Sequence, residues 1–167
     1  MKLHNDNLIF SPSDLILFLE SPFASWMEHF SLISPEALDF KDQDDAMMLM
    51  LQDKGAEHES SVLEGLKRQG LTIEDIGLSS DKKAATIQAM KEGADVVFQA
   101  CLSQDQFTGF ADFLVKVPGS SQLGDYHYEI WDTKLSKSLQ PYYTIQLCCY
   151  QEMIAAIQGR YSNDFVI

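Results

Sequence analysis

The apolar positions change period along the chain. From Ser11 to Trp26 they fall at helical spacing: Leu15, Leu17, Phe18, Leu19, Phe23 and Trp26. Ser11 or Ser13 supplies a cap, Pro12 fits a first turn, and Ser21-Pro22 interrupts the segment. Ser34-Pro35-Glu36 reads as a turn or a new helix start. A second helical pattern runs from Asp44 to Gln69. Met47, Leu51, Val62, Leu63 and Leu66 are its expected buried stripe and Gly70 its stop. Leu71-Thr72-Ile73 suits a short strand, and Asp81 to Glu92 a further helix ending at Gly93.

Beyond Gly93 the runs become short, apolar and β-branched. Asp95 to Leu102, Phe107 to Val117 and Tyr126 to Leu135 read as three strands of an antiparallel meander. Gln104-Asp105-Gln106 turns the chain after the first, and Pro118-Gly119-Ser120-Ser121 is expected to end the second. Gln140 to Gln158 returns to helix, and Asp164 to Ile167 begins another strand. Because the chain stops inside that apolar run, residues 1–167 are expected to be a single α/β domain cut from a longer polypeptide.

Composition narrows the class. The chain is 46% hydrophobic and 22% charged, ordinary for a globular domain. No apolar run approaches the ~20 residues of a membrane span, and the first ten residues lack a signal-peptide pattern. Three cysteines, Cys101, Cys148 and Cys149, make no disulfide framework and suit a cytoplasmic setting. Charge pulls the other way from the chemistry below. Twenty-five acidic residues face 12 basic ones, a net charge of −13, whereas nucleic-acid binders usually carry excess Lys and Arg. The acid is concentrated between Glu36 and Asp53 and at Glu74-Asp75, as solvated faces and loops. Affinity for a polyanion then has to come from a bound metal, from further protein, or from a local basic edge such as Lys116, Lys134 and Lys137.

The polar residues inside the apolar strand runs are the candidate chemistry. Asp112 interrupts Phe110 to Val115, and Asp132 and Lys134 stand two apart in Tyr128 to Lys134, on one face if the strand continues. A suitable register brings Asp112 beside Asp132, and two carboxylates that close repel unless a cation lies between them. Mg²⁺ or Mn²⁺ suits that donor set, with the backbone carbonyl of Thr133 as a third oxygen. Such an ion polarises a phosphate and acidifies a bound water, while Lys134 holds that water or neutralises the phosphate. Singly, each has a plainer role: Asp112 structural, Lys134 a solvated strand end, His58 an ordinary histidine, Gln146 and Tyr150 helix residues. Trp131, Tyr142 and Tyr143 suit either base stacking or packing.

The order of these groups resembles the PD-(D/E)xK nuclease superfamily: Gly109-Phe110-Ala111-Asp112, then Asp132-Thr133-Lys134, then Gln146-Leu147-Cys148-Cys149-Tyr150. With Gly55-Ala56-Glu57-His58-Glu59 upstream, the chain is similar to the RecB-type exonuclease branch, from about Ser11 onward. Within that branch, Gly93 to Ala100 and Tyr128 to Leu135 look closest to a family of RecB-like nucleases often fused to a superfamily-1 helicase. The resemblance implies a restriction-endonuclease-like mixed sheet flanked by helices, and cleavage of DNA, as an exonuclease on single strands or ends. It also implies His58, Asp112, Asp132 and Thr133 as metal ligands, Lys134 as the catalytic lysine, and Glu59 in an outer role. Gln146 and Tyr150 would position the DNA or hydrogen-bond the catalytic segment. An iron–sulfur cluster found in some relatives is not expected, since Ser21-Pro22 stands where they have Cys-Pro and Ser is a poor cluster ligand. The alternatives are an inactive module of this fold that binds nucleic acid or docks a helicase, and an acidic interaction module.

Overall fold

The computed structural model describes residues 1–40, 46–136 and 138–167. The chain is α/β, built on a five-stranded mixed sheet with a separate two-stranded hairpin. That hairpin, β1 (Lys2–His4) and β2 (Asn7–Ile9), turns at Asn5 and Asp6, both with positive φ (49° and 62°). Two helices follow. α1 (Pro12–Glu20) starts at Ser11, whose backbone N–H and hydroxyl both donate to Asp14 at 2.7 Å. α2 (Pro22–Ile33) starts at Ser21, whose hydroxyl accepts from Ala24 N at 3.2 Å. Each proline thus occupies a first helical turn, where no N–H is required. A 3₁₀ helix covers Pro35–Phe40.

α3 (Ala46–Arg68) is the long helix expected from Asp44 onward; Asp44 itself and much of the acidic run lie outside the described residues. Its buried stripe is shorter than predicted. Leu63 and Leu66 are buried and Val62 packs beside them, but Met47 and Leu51 are exposed. Only the C-terminal half of α3 lies over the sheet. Gly70, at φ 80°, then turns the chain. β3 (Ile73–Asp75), a short 3₁₀ turn (Ile76–Leu78) and α4 (Lys82–Glu92) come next. Asp81 caps α4, and Gly93 ends it in the left-handed conformation.

The meander is as expected: β4 (Val96–Gln104), β5 (Phe107–Ser121) and β6 (Gly124–Trp131) pair antiparallel. Two boundaries differ. β5 runs on through Pro118-Gly119 to Ser121, with an irregular register between Pro118 and Ser121. β6 stops at Trp131, so Asp132 and Lys134 lie in the irregular segment after it rather than on the strand. α5 (Pro141–Gln158) then leads to β7 (Phe165–Val166), which pairs parallel with β6. β3 pairs parallel with β4, giving the order β3-β4-β5-β6-β7.

Helices cover both faces. Leu63 and Leu66 of α3 pack on Val96, Phe113 and Val115. On the other face Ala89 and Met90 of α4 and Leu147, Tyr150, Met153 and Ile154 of α5 pack on Val97, Leu102, Leu114, Tyr128 and Ile130. The alternation that assigns these sides fails at one place. Val96 and Phe98 belong to the α3 side, yet Ala100 and Leu102 join the α5 side. Opposite them, Phe113 and Val115 belong to the α3 side, yet Ala111 joins the α5 side. The register pairs Phe98 with Phe113 and Ala100 with Ala111. Both strands therefore swap faces at the intervening residues, Gln99 (φ 53°) and Asp112. Among the described residues, no helix is long and apolar enough to cross a membrane.

Candidate functional site

The swap falls at Asp112 on β5, beside the end of β6. Trp131 is the last β6 residue in register with β5, opposite Phe113, so the next residue, Asp132, comes level with Asp112. Asp132 is held there by its backbone N–H, which donates to Val166 O of β7 at 2.9 Å. The expected pairing of the two aspartates is thus present.

Their environments differ. Asp112 is half-buried, and its Oδ2 accepts from Thr133 N at 2.7 Å and from Thr133 Oγ1 at 3.0 Å. Asp132 is 3% exposed. Lys134 Nζ approaches its Oδ2 to 2.5 Å, but neither carboxylate oxygen receives a hydrogen bond of normal geometry. Burial first, then the charge of Asp112, pushes the Asp132 pKa up to about 6, against the opposing pull of Lys134. The Lys134 ammonium also lies 5.3 Å from the centre of the Tyr143 ring. A hollow of about 240 Å³ opens beside it, lined by Lys134, Ser136, Ser138, Leu139, Tyr143 and Ile167.

A third carboxylate faces the pair, and it is not the residue the motif suggested. His58 is solvent-exposed on α3 and makes no hydrogen bond or ion pair among the described residues. Its neighbour Glu59 is half-buried, and Gln99 Nε2 donates to its Oε2 at 2.6 Å. Burial raises the Glu59 pKa, with Asp112 and then Asp132 adding to the rise, while Gln99 and Lys134 oppose it. One residue along a helix is a rotation of about 100°, so presenting Glu59 to the acids turns His58 away. The residue that swaps the sheet faces, Gln99, is also the one that holds Glu59.

Gln146 and Tyr150 brace β5 from behind. Gln146 Nε2 donates to Tyr150 OH at 3.2 Å, and Tyr150 OH donates to Phe110 O at 2.7 Å. Tyr150 is buried, and burial first, then the two aspartates, pushes its pKa up to about 12 despite Gln146. Its ring needs Gly109: a Cβ there would stand 2.7 Å from Tyr150 Cε1 and 3.0 Å from Pro12 Cδ. Both side chains thus bear on the backbone of β5 at Phe110, two residues before Asp112.

Other candidates lie elsewhere. Trp131 packs on the α3-side core with its Nε1 buried. Lys116 is tied at the far end of β5, 2.6 Å from Asp95 and donating to Gly93 O at 2.6 Å. Lys137 lies outside the described residues. Tyr142 and Tyr143 meet edge to face at 4.6 Å, with Tyr142 exposed.

The donor set suits a hard divalent cation in chemistry: Asp132 is a desolvated carboxylate with Lys134 on Oδ2 and no donor on Oδ1, beside Asp112 and Glu59. As they stand, no three His, Cys, Asp or Glu side chains among the described residues close on one ion-sized point. Compared with known proteins, the chain matches no family model, no curated protein and no solved structure.

Proposed function

We propose that this domain is a metal-dependent deoxyribonuclease of restriction-endonuclease-like fold, acting on single-stranded DNA or DNA ends. One observation carries the reading: a buried Asp132 carboxylate stripped of ordinary hydrogen bonds, level with Asp112 and capped by Lys134. A structural aspartate is hydrogen-bonded when buried. Asp132 instead has one ammonium 2.5 Å from Oδ2 and no partner on Oδ1, an arrangement that suits a further cation.

Asp112 and Asp132 would hold Mg²⁺ or Mn²⁺, with Thr133 O as a further oxygen and Glu59 facing them from α3. When bound, the ion would polarise a phosphate and supply a water of lowered pKa. Lys134, beside a hollow of about 240 Å³, neutralises charge on the scissile group or holds the attacking water. Thr133 fixes one Asp112 oxygen and leaves the other for the ion. Gln146 and Tyr150 hold Phe110, and through it the strand that carries Asp112. A phosphodiester is the substrate this chemistry needs; DNA as its source, and a helicase in the same or another chain, are implied by the motif resemblance.

A second reading has an observation behind it. Among the described residues no closed three-ligand set exists as the side chains stand, which suits a module that binds nucleic acid without cutting it. End-labelled single-stranded DNA incubated with Mg²⁺ or Mn²⁺ separates the two. Metal-dependent cleavage lost in Asp132→Asn supports the hydrolytic reading. Binding without cleavage, indifferent to Asp132→Asn, supports the module.

A further inference from the structure

Phe110 stands two residues before Asp112 on β5, and it is 43% exposed although its strand neighbours are buried. Lys82 Nζ lies 5.4 Å from its ring centre. Lys83 Nζ donates to Ser103 Oγ of β4 at 3.3 Å, and Lys2 lines the cleft beside Phe110. Burial raises the thiol pKa of Cys101, the cross-strand partner of Phe110; Lys2, Lys83 and Lys82 oppose the rise and Asp81 adds to it. Three of the chain's 12 basic residues therefore surround one strand pair, in a protein of net charge −13.

A cleft of about 380 Å³ opens beside Phe110, lined in part by Lys2, Ser11, Ser13, Thr108 and Tyr150. Its acid is already engaged. Asp14 lies 2.5 Å from the Met1 ammonium and accepts from Ser11 N and Oγ. Asp81, near the lysines, caps α4 by accepting from Ala84 N at 3.0 Å. The Met1 ammonium offsets the charge of Asp14, and Lys2, Lys82 and Lys83 outnumber Asp81, so the local balance is positive.

We infer that Phe110, Lys2, Lys82 and Lys83 form a subsite for one unpaired nucleotide of a DNA strand, its base stacked on the ring and its phosphate on the lysines. The inference rests on the hydrolytic reading and names the part of the substrate next to the scissile bond. Two strand residues span about 7 Å, which places this nucleotide adjacent to the acid pair. Tyr150, on the carbonyl of Phe110 itself, keeps that spacing rigid. Lys82 yields the ring face to a base and moves to its phosphate. A duplex offers no free base face, so the subsite selects single strands.

The test is anisotropy of labelled oligothymidylate with the full chain in EDTA at low salt, against an abasic oligomer of equal length. Phe110→Leu should weaken thymidylate binding about tenfold and erase the preference for bases. The double substitution Lys82→Ala, Lys83→Ala should weaken both oligomers and flatten the salt dependence. Parent-like binding by Phe110→Leu, or a parent with no preference for bases, overturns the subsite. Cleavage in Mn²⁺ is read separately. Base-dependent binding without cleavage keeps the subsite and removes the hydrolytic reading. Cleavage with an unchanged KM in Phe110→Leu does the reverse.

Discussion

Thr133 grips Asp112 twice, through its backbone N–H at 2.7 Å and its hydroxyl at 3.0 Å, both to the same oxygen. The grip orients one carboxylate of the pair while leaving its second oxygen out of that bond. Thr133→Val removes the hydroxyl donor and keeps the shape and the N–H. It should cost about 1 kcal/mol of stability and reduce cleavage more than strand binding. Chemical denaturation and single-turnover kinetics on one preparation check both. An Asp112→Asn variant should bind DNA and fail to cut it.

The Asp132 carboxyl carries a pH signature. Its folded pKa, about 6, lies above the ordinary 3.8, so the fold prefers the protonated acid. In metal-free protein this contribution is fully present below the unfolded pKa and lost as pH rises through about 6. The loss is on the order of 3 kcal/mol. Asp132→Asn should remove that loss, and Mg²⁺ at neutral pH should raise the melting temperature of the parent alone. Thermal unfolding from pH 4 to 8, with and without metal, measures this. Parent and variant curves of the same pH dependence would contradict the assignment.

Glu59 and His58 make a paired test. Glu59→Gln keeps the Gln99 contact region filled but removes a charge facing the acids, and should lower Mn²⁺ affinity about tenfold. His58→Ala should leave it unchanged. Titration calorimetry with Mn²⁺ decides, and the opposite ranking would return the ligand role to the histidine.

Behind the site, Tyr150→Phe strips the donor from Phe110 O in a buried place and should cost about 1–3 kcal/mol. Gly109→Ala pushes a methyl into the Tyr150 ring and Pro12, and should cost a similar amount by overpacking. Melting curves test both. A Gly109→Ala protein as stable as the parent would mean that the ring moves freely.

Much of this was readable in the residues because the signals are local. Ser-Pro pairs start α1 and α2, Asp81 and Gly93 bound α4, and the meander follows from apolar spacing. Asp112, Asp132 and Lys134 stood out as charges in apolar runs, and their convergence is a matter of register that short connections largely determine. What escaped was decided at longer range. Nothing in Gln99 announces a left-handed residue, since the usual cue is glycine. Glu59 over His58 is the exception: Leu63 and Leu66, one and two turns on, share the face of Glu59, a cue the predicted stripe already held. Met47 and Leu51 looked like core because period alone does not show that their half of the helix overhangs the sheet. Pro118-Gly119 looked like a stop, but a register irregularity absorbs it inside β5. The first hairpin did carry a cue, the Asn5-Asp6 turn.

The swapped faces at Gln99 and Asp112 have one more effect. Sliding β4 past β5 by a single step would drive apolar side chains of both layers into water at once. That penalty fastens the two strands against shear. The spacing between Asp112 on β5 and the Gln99 amide on β4 that holds Glu59 is therefore inherited from the folded sheet.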